Sequence, residues 1–192
     1  MKELKERIVK EGRVLPGNII KVDGFLNHRI DMRLMRAMAK EFCSYFGDKG
    51  VTMVMTVEAS GIALASVVAE EFGVPLLFAK KAKSDNIEGG LVKSEIFSYT
   101  YKKKVTLIVS AEWIGPDDKV LVVDDFMANG EAIRGLVEIV EQVGAELVGI
   151  GIAIEKGFQG GGDRLRARGV DVYSLAIVEH AEPGNIVFRE GE

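Results

Sequence analysis

Cysteine and histidine are scarce in this chain, and each scarcity closes a route. A single cysteine, Cys43, among 192 residues rules out an intrachain disulfide and fits a reducing, cytoplasmic compartment. Two histidines beside that one cysteine are too few for a typical His/Cys metal site, so no metal-ligating residue is assigned. Any divalent ion is expected to arrive with its ligand. Nowhere do eighteen apolar residues run together, so no segment is expected to span a membrane. Basic excess is also missing. With 25 Lys and Arg against 29 Asp and Glu, the formal net charge is −4, which argues against a general nucleic-acid coat while leaving room for a local basic pocket. The opening MKELKERIVKEG is charged throughout and lacks the apolar stretch of a secretory signal.

What is present is enough apolar residue, 47 %, to build a core in one domain spanning 1–192. Met1 to Glu11 reads as a short amphipathic helix with Leu4, Ile8 and Val9 on one face, broken by Gly12 and the Pro16-Gly17 pair. Asn18 to Asp23 fits a short strand. Asp31 stands where an N-cap belongs, before helical spacing in Leu34, Met35, Met38, Phe42 and Tyr45. Apolar runs then alternate with helices: strands over 51–57, 76–79, 119–123, 147–154 and 170–177, helices over 61–72 and 131–143. Continuous apolar strands alternating with helices predict an α/β fold, a central mostly parallel sheet with helices on both faces. The stretch 81–115, with two strand-like pieces over 95–101 and 105–110, reads as a hairpin excursion, either a closing lid or an inert surface element.

In such sheets ligands bind beyond the carboxyl ends of the strands. The most informative exit is VLVVDDFMANGEAI, 120–133, where four apolar residues lead to Asp124 and Asp125 and then to a small-residue loop opening a helix. Unpaired N–H groups and the positive end of the helix dipole at such a start suit a phosphate. The acids repel phosphate but accept hydrogen bonds from sugar hydroxyls. Together these describe a ribose 5-phosphate, although the same acids also fit a helix cap and the loop an ordinary turn. After Val57, Glu58-Ala59-Ser60-Gly61 offers a second anion loop or simply a tight strand-to-helix turn. Lys80 and Lys81, leaving the strand at Ala79, need a partner such as a diphosphate, or form a solvated loop.

The segment VLVVDDFMANGEA resembles the signature of the type I phosphoribosyltransferases: four hydrophobics, two acids, two hydrophobics and a small-residue loop around a glycine. That resemblance implies that Asp124 and Asp125 hold the ribose hydroxyls of phosphoribosyl pyrophosphate, and that Ala128, Asn129, Gly130, Glu131 and Ala132 wrap its 5′-phosphate. It further implies pyrophosphate contacts from Glu58, Ala59, Ser60 and Gly61 and from Lys80 or Lys81. Ser94 to Tyr101 would lie in a flexible loop closing over the reacting sugar. Mg²⁺ would enter bound to phosphoribosyl pyrophosphate. Many members carry Thr or Ser where Ala128 and Ala132 stand, so binding here must lean on backbone N–H groups and Asn129.

The resemblance is specific to the purine salvage branch and covers nearly the whole chain, through VLPGNIIKVDGFLNHRID, VEASGIA, DDFMANGEA and IEKGFQ. It implies a hood from about 1–30 over the base, with xanthine as that base. Ile20 would pack on the base, Asn27 would donate to its C2 carbonyl, Lys156 would donate to an exocyclic oxygen and Phe158 would stack on the ring. The family also implies a homodimer. Adenine or hypoxanthine/guanine transfer, and a non-catalytic purine-responsive regulator, are the alternatives; a regulator would need a DNA-binding domain for which the first thirty residues are too short.

Overall fold

The computed structural model describes residues 1–81, 90–98 and 103–190. The chain opens with α1 (Lys2–Glu11), then a small hairpin of β1 (Arg13–Leu15) and β2 (Ile19–Lys21), then α2 (Met32–Phe46). The doubly covered core follows as β3 (Met53–Val57), α3 (Gly61–Phe72) and β4 (Leu76–Ala79). An excursion of β5 (Leu91–Ser98) and β6 (Lys103–Ser110) precedes β7 (Lys119–Met127), α4 (Glu131–Gln142) and β8 (Glu146–Lys156). A 3-10 turn (Gly157–Gln159), α5 (Gly161–Ala167), β9 (Val172–Glu182) and β10 (Asn185–Phe188) complete it, and another 3-10 turn (Gly47–Lys49) follows α2. The central sheet has the order β10-β9-β8-β7-β3-β4, all parallel except the antiparallel edge strand β10.

Two apolar layers sandwich that sheet. On one side Leu4 and Ile8 of α1, Phe42 of α2 and Leu64 and Val68 of α3 pack with Val54, Leu121 and Val123. On the other, Ile133, Leu136 and Ile139 of α4 pack with Val120, Val122 and Ile150. Asp31 caps α2 as its position implies, accepting from the N–H groups of Arg33 at 3.0 Å and Leu34 at 3.2 Å. Val9 does not join the buried face of α1; it is 63 % exposed, because Leu4 and Ile8 already fill that contact. The glycines of β8 have a packing reason: a Cβ at Gly151 would fall 2.9 Å from the Phe42 ring.

Among the helices and strands, β1, α5 and β10 escape the sequence pattern, and β7, β8 and β9 run further than their apolar runs. β7 continues through Asp124, Asp125 and Phe126 to Met127, and β8 through Glu155 to Lys156. The acids therefore sit inside the last rungs of the sheet, not in the loop beyond it.

The expected hairpin is present in its two arms, paired from Leu91↔Ser110 to Ser98↔Lys103. Lys83, Gly89 and residues 99–102 lie outside the described residues, including the end of the expected closing loop. The arms lie along α4, where residues spaced by three or four share one helix face. The Phe97 N–H donates to Glu131, Arg134 donates to the Glu95 carbonyl at 2.8 Å, Ser94 Oγ to Glu138 at 2.6 Å and Gln142 to the Lys93 carbonyl at 3.0 Å. Gly135 lets the two elements meet: a Cβ there would lie 2.5 Å from Ile96 Cγ2 and 2.9 Å from Leu107 Cδ1. Gly135→Ala is expected to lower stability by about 1–3 kcal/mol through overpacking, despite the better helix propensity of alanine. Thermal unfolding of the variant checks this; an unchanged or raised melting temperature would show that the hairpin is not tightly seated on α4.

Candidate active site

The end of β7 places two carboxylates almost out of water, Asp124 5 % and Asp125 3 % exposed. Asp124 accepts from the Asp125 N–H at 2.9 Å and faces the start of α3, where a Cβ on Gly61 would fall 2.5 Å from its Oδ1. Gly61 is thus required by the approach of α3 to the acid. Burial first, and the neighbouring Asp125 charge second, push the Asp124 carboxyl well above the usual carboxylate range. Asp125 is held from two sides, by Ser60 Oγ at 2.8 Å and Asn27 Nδ2 at 3.0 Å. Beside Asp124, the buried hydroxyl of Thr56 has no hydrogen-bond partner among the described residues. Among the described residues no Lys or Arg bonds either carboxylate, so the pair keeps oxygen acceptors for a ligand.

A cavity of about 370 Å³ opens at this sheet edge. Its lining takes in the whole loop Ala128, Asn129, Gly130, Glu131 and Ala132, together with Ile20, Asn27, Lys81 and Lys156. Gly130 adopts φ 81° as it hands the chain into α4, a conformation that favours glycine and turns the loop back on itself. The Glu131 side chain points away from an anion role: it bonds Arg134 at 3.1 Å, which holds its carboxyl below the ordinary range.

The remaining candidates divide. Of the two lysines, Lys81 lines the cavity, while Lys80 is exposed and its backbone pairs with Ile108. Glu58 accepts from the Lys81 N–H at 2.6 Å, so this turn shapes the exit of β4. Ala59, Ser60 and Gly61 are not among the lining residues, and neither are Asp124 and Asp125 themselves, although Asn27 and Phe126 beside them are. At the other end, Lys156 Nζ reaches the Asn18 carbonyl at 3.5 Å, and burial alone lowers its pKa. Phe158 is absent from the lining and packs against the apolar layer instead. Phe126 takes the aromatic place, with Lys156 Nζ 6.0 Å from its ring centre. Extending β7 past the acids would have found it, since it follows Asp125 directly. Phe97, which also lines the cavity, carried no sequence signal beyond its place in the hairpin.

The hood is a folded unit over this end. Its turn needs positive φ at Gly17 (84°) and Asn18 (59°), and Val22, Phe25 and Leu26 are buried below it. Arg7 ties it down through Asp31 at 3.0 Å and lies 5.3 Å over the Phe25 ring.

The phosphoribosyl transferase domain model matches residues 22–182 of this chain. The chain belongs to the phosphoribosyltransferase family. Xanthine phosphoribosyltransferase of Bifidobacterium longum is 51 % identical over 192 residues, covering 98 % of this chain and 100 % of that protein. The namesake of Streptococcus pneumoniae is 46 % identical with both chains covered in full. Among solved structures, adenine phosphoribosyltransferase of Giardia lamblia superposes with a TM-score of 0.77 at 23 % identity, over 93 % of this chain and 98 % of that one. At that identity the superposition speaks for the fold.

The buried acid of this phosphoribosyltransferase has a pH signature. A carboxyl whose folded pKa is raised costs nothing in acid, where folded and unfolded forms are both protonated. The cost grows as pH rises from the unfolded value of about 3.9 towards the folded one, then levels off. Asp124→Asn keeps an acceptor for the Asp125 N–H and removes that cost. The variant is expected to match the parent's melting temperature near pH 4 and exceed it increasingly towards neutrality. A gap that narrows with rising pH would overturn the assignment.

Proposed function

We propose that the chain transfers the 5-phosphoribosyl group from phosphoribosyl pyrophosphate to xanthine, giving xanthosine 5′-monophosphate and pyrophosphate in purine salvage. The observation that carries this reading is one cavity with a helix-opening glycine loop at one end and two hydrogen-bond donors, Lys156 and Asn27, towards the other. Full-length identity of 46–51 % to named xanthine phosphoribosyltransferases supports it.

In the reaction a ring nitrogen of xanthine forms the new bond to C1 of the sugar. The C1–O bond breaks, and its electron pair leaves on pyrophosphate. Loop N–H groups from Ala128 to Ala132 bind the 5′-phosphate, while Asp124 and Asp125 accept from ribose hydroxyls. Lys81 balances charge on the leaving diphosphate, and Ser60 keeps the Asp125 carboxylate aimed. Ile20 and Phe126 cover the base and keep water, the competing nucleophile, from the reacting carbon. The unpartnered Thr56 hydroxyl beside Asp124 gives this corner the hard oxygen character that suits Mg²⁺. Carried in by the substrate, Mg²⁺ would sit near Asp124 and Asp125 and supply charge neutralisation to the diphosphate.

Lysine carries three donors and no acceptor, so Lys156 favours a base with an oxygen at C6 over adenine, whose C6 carries a donor. A cytoplasmic homodimer fits the single cysteine and the family. Light scattering of the purified protein is expected to give twice the chain mass of 20.9 kDa; a monomer would remove that part of the reading.

The deciding measurement is nucleotide formation from phosphoribosyl pyrophosphate with xanthine, guanine, hypoxanthine and adenine in parallel. Xanthine is expected to give the highest kcat/KM. Lys156→Met should lower kcat/KM for xanthine by about 10²-fold, the cost of a lost charged donor to a buried oxygen. Adenine as the preferred base would refute the assignment of Lys156, and no product with any base would refute the transferase.

A further inference from the structure

Behind the 5′-phosphate loop lies a second cavity of about 240 Å³, lined by Arg134, Arg164 and Arg168 and sharing Asn129, Gly130 and Glu131 with the main one. The loop is therefore a thin partition with open space on both sides. Without support from behind it has little to hold its N–H groups in one orientation. Its rear contacts come from α5. Gly161 abuts the loop so closely that a Cβ would fall 2.8 Å from the carbonyl carbon of Asn129 and the nitrogen of Gly130. From the next turn Arg164 donates to two backbone carbonyls, that of Asn129 at 3.0 Å and that of Gln159 at 3.3 Å. Gly160, at φ 70°, brings the chain round so that Arg164 reaches both.

We infer that Arg164 is a positioning residue for the phosphoribosyl group, clamping the Asn129 carbonyl backwards so that the N–H groups of 129–132 face the 5′-phosphate. A peptide unit is planar, so holding the Asn129 carbonyl fixes the direction of the N–H of Gly130. Its second hydrogen bond ties that loop to Gln159, three residues beyond Lys156, and so joins the phosphate end of the site to the base end. Only a guanidinium serves both carbonyls from one side chain, because its donors form a planar fork; an ammonium of similar reach supplies a point charge. Neither contact touches substrate, which distinguishes Arg164 from Lys81 and Lys156.

The inference rests on the assignment of 128–132 to the 5′-phosphate, and its test separates the two. Binding of ribose 5-phosphate is measured by calorimetry on the parent, Arg164→Ala, Arg164→Lys and, as a control, Arg168→Ala, whose parent arginine bonds neither carbonyl. Arg164→Ala should weaken ribose 5-phosphate by about tenfold, the loss expected for one charge-assisted hydrogen bond that organises the site. In turnover its KM for phosphoribosyl pyrophosphate should rise while kcat stays within about twofold. Arg164→Lys should fall between, and Arg168→Ala should match the parent. Added guanidinium ion, well below denaturing concentration, should recover part of the affinity of Arg164→Ala through the rear cavity and none in the parent. Arg164 is exposed, so its variants should melt with the parent. Parent protein that fails to bind ribose 5-phosphate would overturn the loop assignment itself. A parent that binds while Arg164→Ala binds equally well would overturn the role of Arg164 alone. A melting temperature that falls in both Arg164 variants, with xanthine turnover lost in proportion, would mark Arg164 as merely structural and overturn it too.

Discussion

Two carboxylates placed side by side in the last rungs of a buried strand are a cost that the surrounding chain must hold in place. Asp124 and Asp125 meet that condition in different ways. Asp124 takes its neighbour's N–H and otherwise lies against the glycine that starts α3, with its proton affinity raised by burial. Asp125 is anchored by one donor from the turn after β3 and one from the hood. These contacts bring three parts of the chain, distant in sequence, to one point. The hood is thereby tied to the sheet by a polar bond at the site itself as well as by the apolar packing of Phe25 and Leu26 beneath it.

A second buried acid organises the other wall. Glu155 is fully buried at the end of β8, paired in register with Met127, and receives both terminal nitrogens of Arg166 at 3.0 and 2.7 Å and Ser174 Oγ at 2.5 Å. A buried ion pair of this kind is weak evidence of net stability, yet removing either partner strands the other. Its consequence is positional. It draws α5 down until Gly162 touches the Glu155 carboxylate, and the same descent presses Gly161 against the loop from Ala128 to Gly130. The seven-residue α5 gains its fixed place from this bond and from Leu165 beneath it, since a helix so short has little stability of its own.

The sequence carried the parallel sheet, the order of its main elements and the small-residue loop between β7 and α4, because long apolar strands and helix-opening small residues are local signals. It lost what depended on partners far along the chain. Glu155 and Asp125 are polar, so both apolar runs seemed to stop before them, whereas the ladder continues because each acid finds its donors across the fold. GGDRLRA has two glycines and no apolar stripe, so it carries no helical signal; its glycines are there for close approach, which only the folded neighbours reveal. Phe158 and Phe126 show the same limit at the site. Each follows a strand's polar exit, and only the four further residues of β7 decide which ring reaches the cavity.

Base selection draws on this same coupling. The Asn27 amide has two N–H bonds, and one is spent on Asp125. The amide is therefore oriented by Asp125, with its nitrogen turned towards that carboxylate. An amide free to flip could present either oxygen or nitrogen to a purine C2 substituent, accepting from guanine as readily as donating to xanthine. Tied to a carboxylate, its nitrogen cannot exchange places with its oxygen without setting two acceptors against each other. Under the proposed xanthine assignment, the discrimination between an oxo and an amino group at C2 thus depends on the Asn27–Asp125 hydrogen bond and on the hood being held over the end of β7. A change at the sugar end of the site would then be felt in the choice of base, without any residue at the base being altered.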